Sequence, residues 1–196
     1  MNTQDCEAQT IILASASPRR EQLLKQLFLN FKIVPSKVDE AKLRAKSPTA
    51  FAVKAALAKA NDVAAHQPNS IVIGADTIVV LGKKILGKPK DKKHALAMLK
   101  SLVGRTHLVI TGLAVINSQT GSTVTDFVVT KVKMKKVSLA IIKEYVDSGR
   151  PLDKAGGYGI QEIEELFIER IEGDFDNVVG LPVGRLRQLL NEFNIR

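Results

Sequence analysis

Between residues 10 and 80 the hydrophobic period of the chain switches repeatedly between that of a buried strand and that of a helix. That alternation narrows the fold more than any other feature. Residues 11–14 are a short apolar run that predicts a buried strand. Pro18 suits the first turn of a helix, where its missing N–H costs nothing. Leu23, Leu24 and Leu27 then repeat at helical spacing. Residues 31–34 predict a second short strand, and 35–48 a polar loop carrying Val38, Asp39 and Glu40. Residues 49–66 place Ala52, Val53, Ala56, Leu57, Ala60 and Ala64 on one face of an alanine-rich amphipathic helix. The β-branched runs 71–73 and 78–80 read as strands separated by a break at Gly74, Ala75 and Asp76, with a turn near Gly82.

Beyond that point the pattern predicts a helix over 92–102, then a hairpin of two long strands, 106–117 and 123–132. Ser138 can cap a helix that Gly149 stops. A glycine-rich loop spans 153–161, a strand 166–171, and Pro182 opens a last helix reaching about Phe193. Strands and helices that alternate early, with a hairpin in the middle, predict an α/β fold with a mixed sheet. A length of 196 residues favours one domain, at most two small lobes. We read 10–196 as that domain and 1–9 as a polar extension. The extension carries Asp5 and Glu7 and lacks the pattern of a signal peptide. No apolar run approaches the roughly 18 residues of a membrane span. The single cysteine, Cys6, cannot form an internal disulfide, which fits a reducing compartment. The expectation is a cytoplasmic protein without a membrane partner.

The formal net charge is +9. It implies either a solvated lysine-rich surface or an anionic partner. A platform for stacked bases would need aromatic residues among the basic ones. With two Tyr, no Trp and scattered Phe there is none, so no nucleic acid is expected.

Three places carry residue types suited to chemistry. The first is Ser15-Ala16-Ser17-Pro18-Arg19-Arg20. A strand end, a small polar turn, a helix start and two guanidinium groups together suit a phosphate. Alternatively, Ser17 only caps the helix and the arginines are solvated. The second is Asp76, set between two β-branched runs that threaten its hydration. Burying an unpaired carboxylate costs several kcal/mol. Asp76 therefore caps a turn, binds a cation or accepts a proton, and its neighbour Thr77 offers a hydroxyl to a ligand or fills a β position. The third is Gly156-Gly157-Tyr158-Gly159-Ile160-Gln161, whose glycines let a backbone run against a flat ligand and whose Gln161 presents donor and acceptor together. Lys59 stands beside the apolar face of its helix, where it either enters a cleft or snorkels. Lys88 is aimed by Pro89 but sits among Lys83, Lys84, Lys90, Lys92 and Lys93. Glu40 lies in a loop, where acids are usually solvated. His66, His94 and His107 show no metal-ligand spacing.

Taken in order, "LASASPRREQLL", "VDE", "IGADTIVVL", "GKPKD", "HLVITG", "PLDKAGGYGIQ" and "DNVVGLP" resemble the Maf family of nucleoside triphosphate pyrophosphatases over nearly the whole chain. The resemblance implies an elongated mixed sheet with flanking helices and a central cleft, like that of inosine triphosphatases. It implies cleavage of a nucleoside triphosphate to monophosphate and pyrophosphate, a divalent metal (Mg²⁺ or Mn²⁺) and a homodimer. By position it makes Asp76 the proton acceptor, with Arg20, Glu40, Lys59 and Lys88 in the catalytic cleft. Ser15, Ser17, Arg19, Thr77 and Gln161 would bind substrate, and Asp76 and Glu40 are the candidate metal ligands. Arg19, Thr77 and Gln161 resemble the branch acting on dTTP and UTP. Glu162, Glu164 and Glu165 depart from the family, which usually has glycine and small residues there. An alternative is a nucleotide or nucleic-acid binding protein with little activity.

Overall fold

The computed structural model describes residues 9–28 and 30–195. Cys6 and nearly all of the polar extension lie outside that range. Among the described residues a seven-stranded sheet has the order β2-β1-β3-β5-β6-β7, with β4 paired to β3. The strands are β1 (Thr10–Leu13), β2 (Lys32–Ile33), β3 (Ser70–Leu81), β4 (Lys84–Leu86), β5 (Thr106–Asn117), β6 (Thr123–Met134) and β7 (Ile168–Glu172). β1 runs parallel to β2 and β3, and every other pairing is antiparallel. The sheet is mixed, as the alternation predicted.

The predicted break at residues 74–76 is absent: β3 is one continuous strand of 12 residues. Its ladder with β5 runs unbroken from Ile71 to Val80. On the other edge, β1 pairs only as far as Ile73 and β4 begins only at Val79. Residues 74–78 thus lack a described strand neighbour on one side. The sequence signal marked this open edge, not a turn.

Gly74 has a packing reason as well. Helix α2 (Pro48–Ala64) lies across β3 and β5 with Ala52, Ala56 and Ala60 fully buried. A Cβ on Gly74 would run into the Ala56 carbonyl oxygen, and one on Gly112 of β5 into the Ala52 carbonyl. Small residues on both surfaces let the helix backbone approach the sheet closely. Side chains of β3 then alternate. Ile71, Ile73, Ala75 and Val79 enter the main core, whereas Val72, Ile78 and Val80 pack beneath α2. The same period of two sends Asp76 toward α2 and Thr77 to the other face.

Helices α1 (Pro18–Leu24), α3 (Lys92–Leu102) and α4 (Leu139–Asp147) form close to where sequence periodicity places them; Ser17 and Ser138 accept the capping bonds open to them in the sequence, and Asp91, not singled out there, caps α3. Three segments differ. Residues 160–161 are not loop but the start of α5 (Ile160–Phe167), so the strand expected at 166–171 becomes β7 and begins only at Ile168. Phe167 closes α5 with no exposure, packed 5.7 Å from the Tyr145 ring. A short α6 (Phe175–Val179), capped by Asp174, precedes α7 (Val183–Asn191). Pro182 is the residue just before α7 rather than its first.

Candidate active site

All ten candidate residues line one cleft of about 650 Å³. It opens at the carboxyl end of β1, beside the unpaired edge of β3. One side is formed by Ser15, Ser17, Arg19 and Arg20, the floor by Asp76 and Thr77, and the rim by Glu40, Lys59, Lys88 and Gln161.

Asp76 is 4% exposed. Its Oδ1 accepts a bond from Lys59 Nζ at 2.7 Å, and its buried Oδ2 has no partner among the described residues. Burial pushes its pKa up; the Lys59 ammonium opposes this, and the nearby Glu40 adds to it. Lys59 leaves the apolar face of α2 sideways into the cleft, with its side chain only 12% exposed, and also holds Glu40 Oε1 at 2.5 Å. Glu40 opens a 3-10 turn, Glu40–Lys42, whose cap is Asp39. The two acids of the polar loop therefore separate: Asp39 serves the backbone, and Glu40 reaches the buried ammonium.

Arg20 is fixed by three uncharged acceptors. Its Nε donates to the Gly180 carbonyl at 2.8 Å, Nη1 to Ser15 Oγ at 3.1 Å and Nη2 to Thr77 Oγ1 at 3.1 Å. A guanidinium carries five N–H donors, so one N–H on each terminal nitrogen is left for an anion. Thr77 Oγ1 is also 2.9 Å from Thr111 Oγ1. Thr77 thus spends its hydroxyl on Arg20 and its neighbours instead of presenting it freely. Ser17 caps α1 by accepting from the Arg20 N–H at 3.5 Å, as the plainer reading of this residue had it.

The residues that hold Arg20 from behind were missed by sequence reasoning. Thr111 donates to the Asn177 carbonyl, and the Asn177 amide donates to the Val109 carbonyl and Thr130 Oγ1. Thr111, Thr130 and Asn177 are fully buried. The signal was present in "DNVVGLP": a buried Asn in α6, followed by a glycine whose carbonyl meets the arginine.

Arg19 points the other way, toward Asp153, with Nη1 3.3 Å from Oδ2. Lys88 is exposed among exposed lysines, as that run implied, yet it lines the cleft next to buried Pro89. Gln161 is exposed in the first turn of α5. Tyr158, three residues earlier and also on the cleft lining, makes a buried bond of 2.6 Å between its hydroxyl and His107.

The residues fit a divalent cation of the hard, oxygen-seeking kind. Two carboxylates, Asp76 and Glu40, meet at one ammonium, and Asp76 Oδ2 is an orphaned acceptor. Among the described residues no group of three or more His, Cys, Asp or Glu side chains is placed to hold a metal ion, so substrate phosphates and water would complete such a shell.

A family profile described as Maf-like protein matches residues 10–193. The chain belongs to the Maf family. Its similarity to individual curated relatives runs nearly end to end. The dTTP/UTP pyrophosphatase of Desulforamulus reducens is 48% identical over 185 residues, which is 94% of this chain and 97% of that one. That of Acetivibrio thermocellus is 47% identical over 192 residues, 94% and 96% of the two chains. That of Clostridium botulinum (strain Kyoto / Type A2) is 45% identical over 189 residues, 94% and 97%. Among solved structures, a HAM1 protein from Coxiella burnetii shares the fold, with a TM-score of 0.51 at 15% identity over 94% of this chain and 99% of that one. No described helix is long and apolar enough to cross a membrane.

Proposed function

We propose that this Maf protein hydrolyses dTTP and UTP to the monophosphate and pyrophosphate. Modified pyrimidine nucleotides are further candidates. The observation that carries the reading is the meeting, in one cleft, of a buried carboxylate with a tethered ammonium and a guanidinium that keeps free donors. Relatives carrying the dTTP/UTP name over nearly their whole length support the choice of substrate.

Arg20 and Lys88 neutralise phosphoryl oxygens, and Arg20 does so from a fixed position, which is where electrostatic catalysis gains most. Water attacks at the α–β anhydride. Its oxygen stays with one phosphoryl product, its proton passes to Asp76, and the bridging bond breaks as pyrophosphate leaves. The raised pKa of Asp76 makes it a better proton acceptor once ionised. Lys59 holds that carboxylate in place and stabilises its charge. Asp76 and Glu40 would hold Mg²⁺ or Mn²⁺, which supplies charge neutralisation on the phosphates when bound. Gln161 reads the pyrimidine edge, its amide matching the mixed donors and acceptors of uracil or thymine. The reading includes a homodimer in the cytoplasm and no nucleic-acid partner.

Pyrophosphate release from a panel of nucleoside triphosphates, with and without Mg²⁺, tests this. Turnover of UTP and dTTP above the purine triphosphates is expected. No release from any triphosphate, with salt-sensitive RNA binding instead, would replace the enzyme by a binding protein.

A further inference from the structure

The acidic departure at Glu162 is built into the wall that carries Gln161. Lys154, its side chain only 7% exposed, has three acceptors: Asp153 Oδ1 at 2.6 Å, the Arg150 carbonyl at 2.7 Å and Glu162 Oε1 at 3.0 Å. An ammonium has three N–H donors, so this set satisfies it. Asp153 also takes Arg19 from α1. Burial pushes the Asp153 pKa up, but the hydrogen bond and charge of Lys154, with Arg19, outweigh it and leave the carboxyl below its ordinary value. A chain of opposite charges therefore runs Arg19–Asp153–Lys154–Glu162, from the arginine pair to the residue next to Gln161.

The second oxygen of Glu162 is held too. The Tyr145 hydroxyl donates to Glu162 Oε2 at 3.1 Å and accepts the Gly159 N–H at 3.3 Å. The backbone two residues before Gln161 and the side chain one residue after it are thus tied to one tyrosine hydroxyl. The packing is close: a Cβ on Gly159 would lie 2.7 Å from Lys154 Cε and 3.3 Å from Glu162 Cδ.

We infer that Glu162 is a specificity-determining positioning residue, whose carboxylate clamps Lys154 and Tyr145 and so sets the angle at which Gln161 meets the base. This deepens the proposed function and rests on Gln161 reading the pyrimidine. Glu162 touches no reacting atom. Its effect belongs in substrate affinity and base preference, not in the chemical step.

The test is Glu162→Gln, which keeps the shape and removes the charge, with Tyr145→Phe as a second variant that cuts the other half of the clamp. Both are assayed on UTP and CTP beside the native protein. The expected result for Glu162→Gln is a KM for UTP raised about three- to tenfold, kcat held within about twofold, and a lower UTP-to-CTP ratio of kcat/KM. Tyr145→Phe shifts the ratio in the same direction by less. A purely structural role would lower kcat alike on both substrates and leave KM and the ratio alone. That outcome, or no change, overturns the inference. If the native protein cleaves neither triphosphate, the functional reading itself falls and takes this inference with it.

Discussion

On one wall of the cleft, Arg20 is held by a serine hydroxyl, a threonine hydroxyl and a backbone carbonyl, backed by the fully buried Thr111, Asn177 and Thr130. On the other wall, the segment bearing Gln161 is held by a string of ions between half-exposed Arg19 and Glu162. The first wall holds its one guanidinium through charge-assisted bonds to uncharged acceptors, with no ion pair for salt to screen. The second uses ion pairs that join the buried Lys154 to the more exposed Asp153, Arg19 and Glu162, whose outer members salt does screen. The difference suits the parts of the substrate each wall faces in the proposed reaction. Every nucleoside triphosphate carries the same phosphates, so the phosphate end can be rigid. Bases differ, so the base end can be tuned by exchanging one charged side chain.

Arg20→Lys gives the largest expected effect on this comparison. A lysine keeps the charge but loses the fork that joins Ser15, Thr77 and Gly180. Steady-state kinetics should show kcat/KM for UTP falling by about 10²–10³. A loss under threefold would mean that the dry wall does not aim the cation. Gln161→Glu comes next. An acceptor-only side chain opposes uracil and suits the cytosine amino group, so UTP should lose ground to CTP by about 1–3 kcal/mol in the ratio of kcat/KM. An unchanged preference removes Gln161 as the reader.

Two smaller effects separate the walls by stability. Thr111→Val strands buried polar partners in the relay behind Arg20 and should cost about 1–3 kcal/mol in urea unfolding. On the base side, burial lowers the His107 pKa from 6.5 to about 4. The unfolded chain therefore takes up a proton at a higher pH than the folded one. The stability from neutral His107 is full above pH 6.5 and is lost as pH falls toward about 4. Melting temperature followed across that range should drop in the native protein and drop less in His107→Gln.

The two walls were not equally legible in the sequence. The strand–turn–helix of the first was readable because period, proline and hydroxyl cap agreed from Thr10 to Leu24. Asp76 was readable because a charge amid β-branched residues violates the local pattern. The polar relay behind Arg20 was not readable, since Thr111 and Asn177 meet it only through strand pairing and a contact across more than 60 residues. On the second wall, three glycines close together suggested a loop and hid α5, although Ile160, Ile163 and Phe167 recur at helical spacing and are all buried. Tertiary burial of that apolar stripe decided the helix. Lys59 needed the structure as well: a position beside an apolar helix face is compatible with snorkelling or with a buried ion pair, and the tight seat of α2 on Gly74 and Gly112 selects the second.

In the proposed reaction Asp76 takes the proton of the attacking water while the cations around it hold the triphosphate. Asp76→Asn, compared with the native protein for pyrophosphate release from UTP in Mg²⁺ and for UTP binding by calorimetry, tests it most directly. Turnover should fall by about 10²–10⁴ with binding retained. Full turnover in the variant would contradict it.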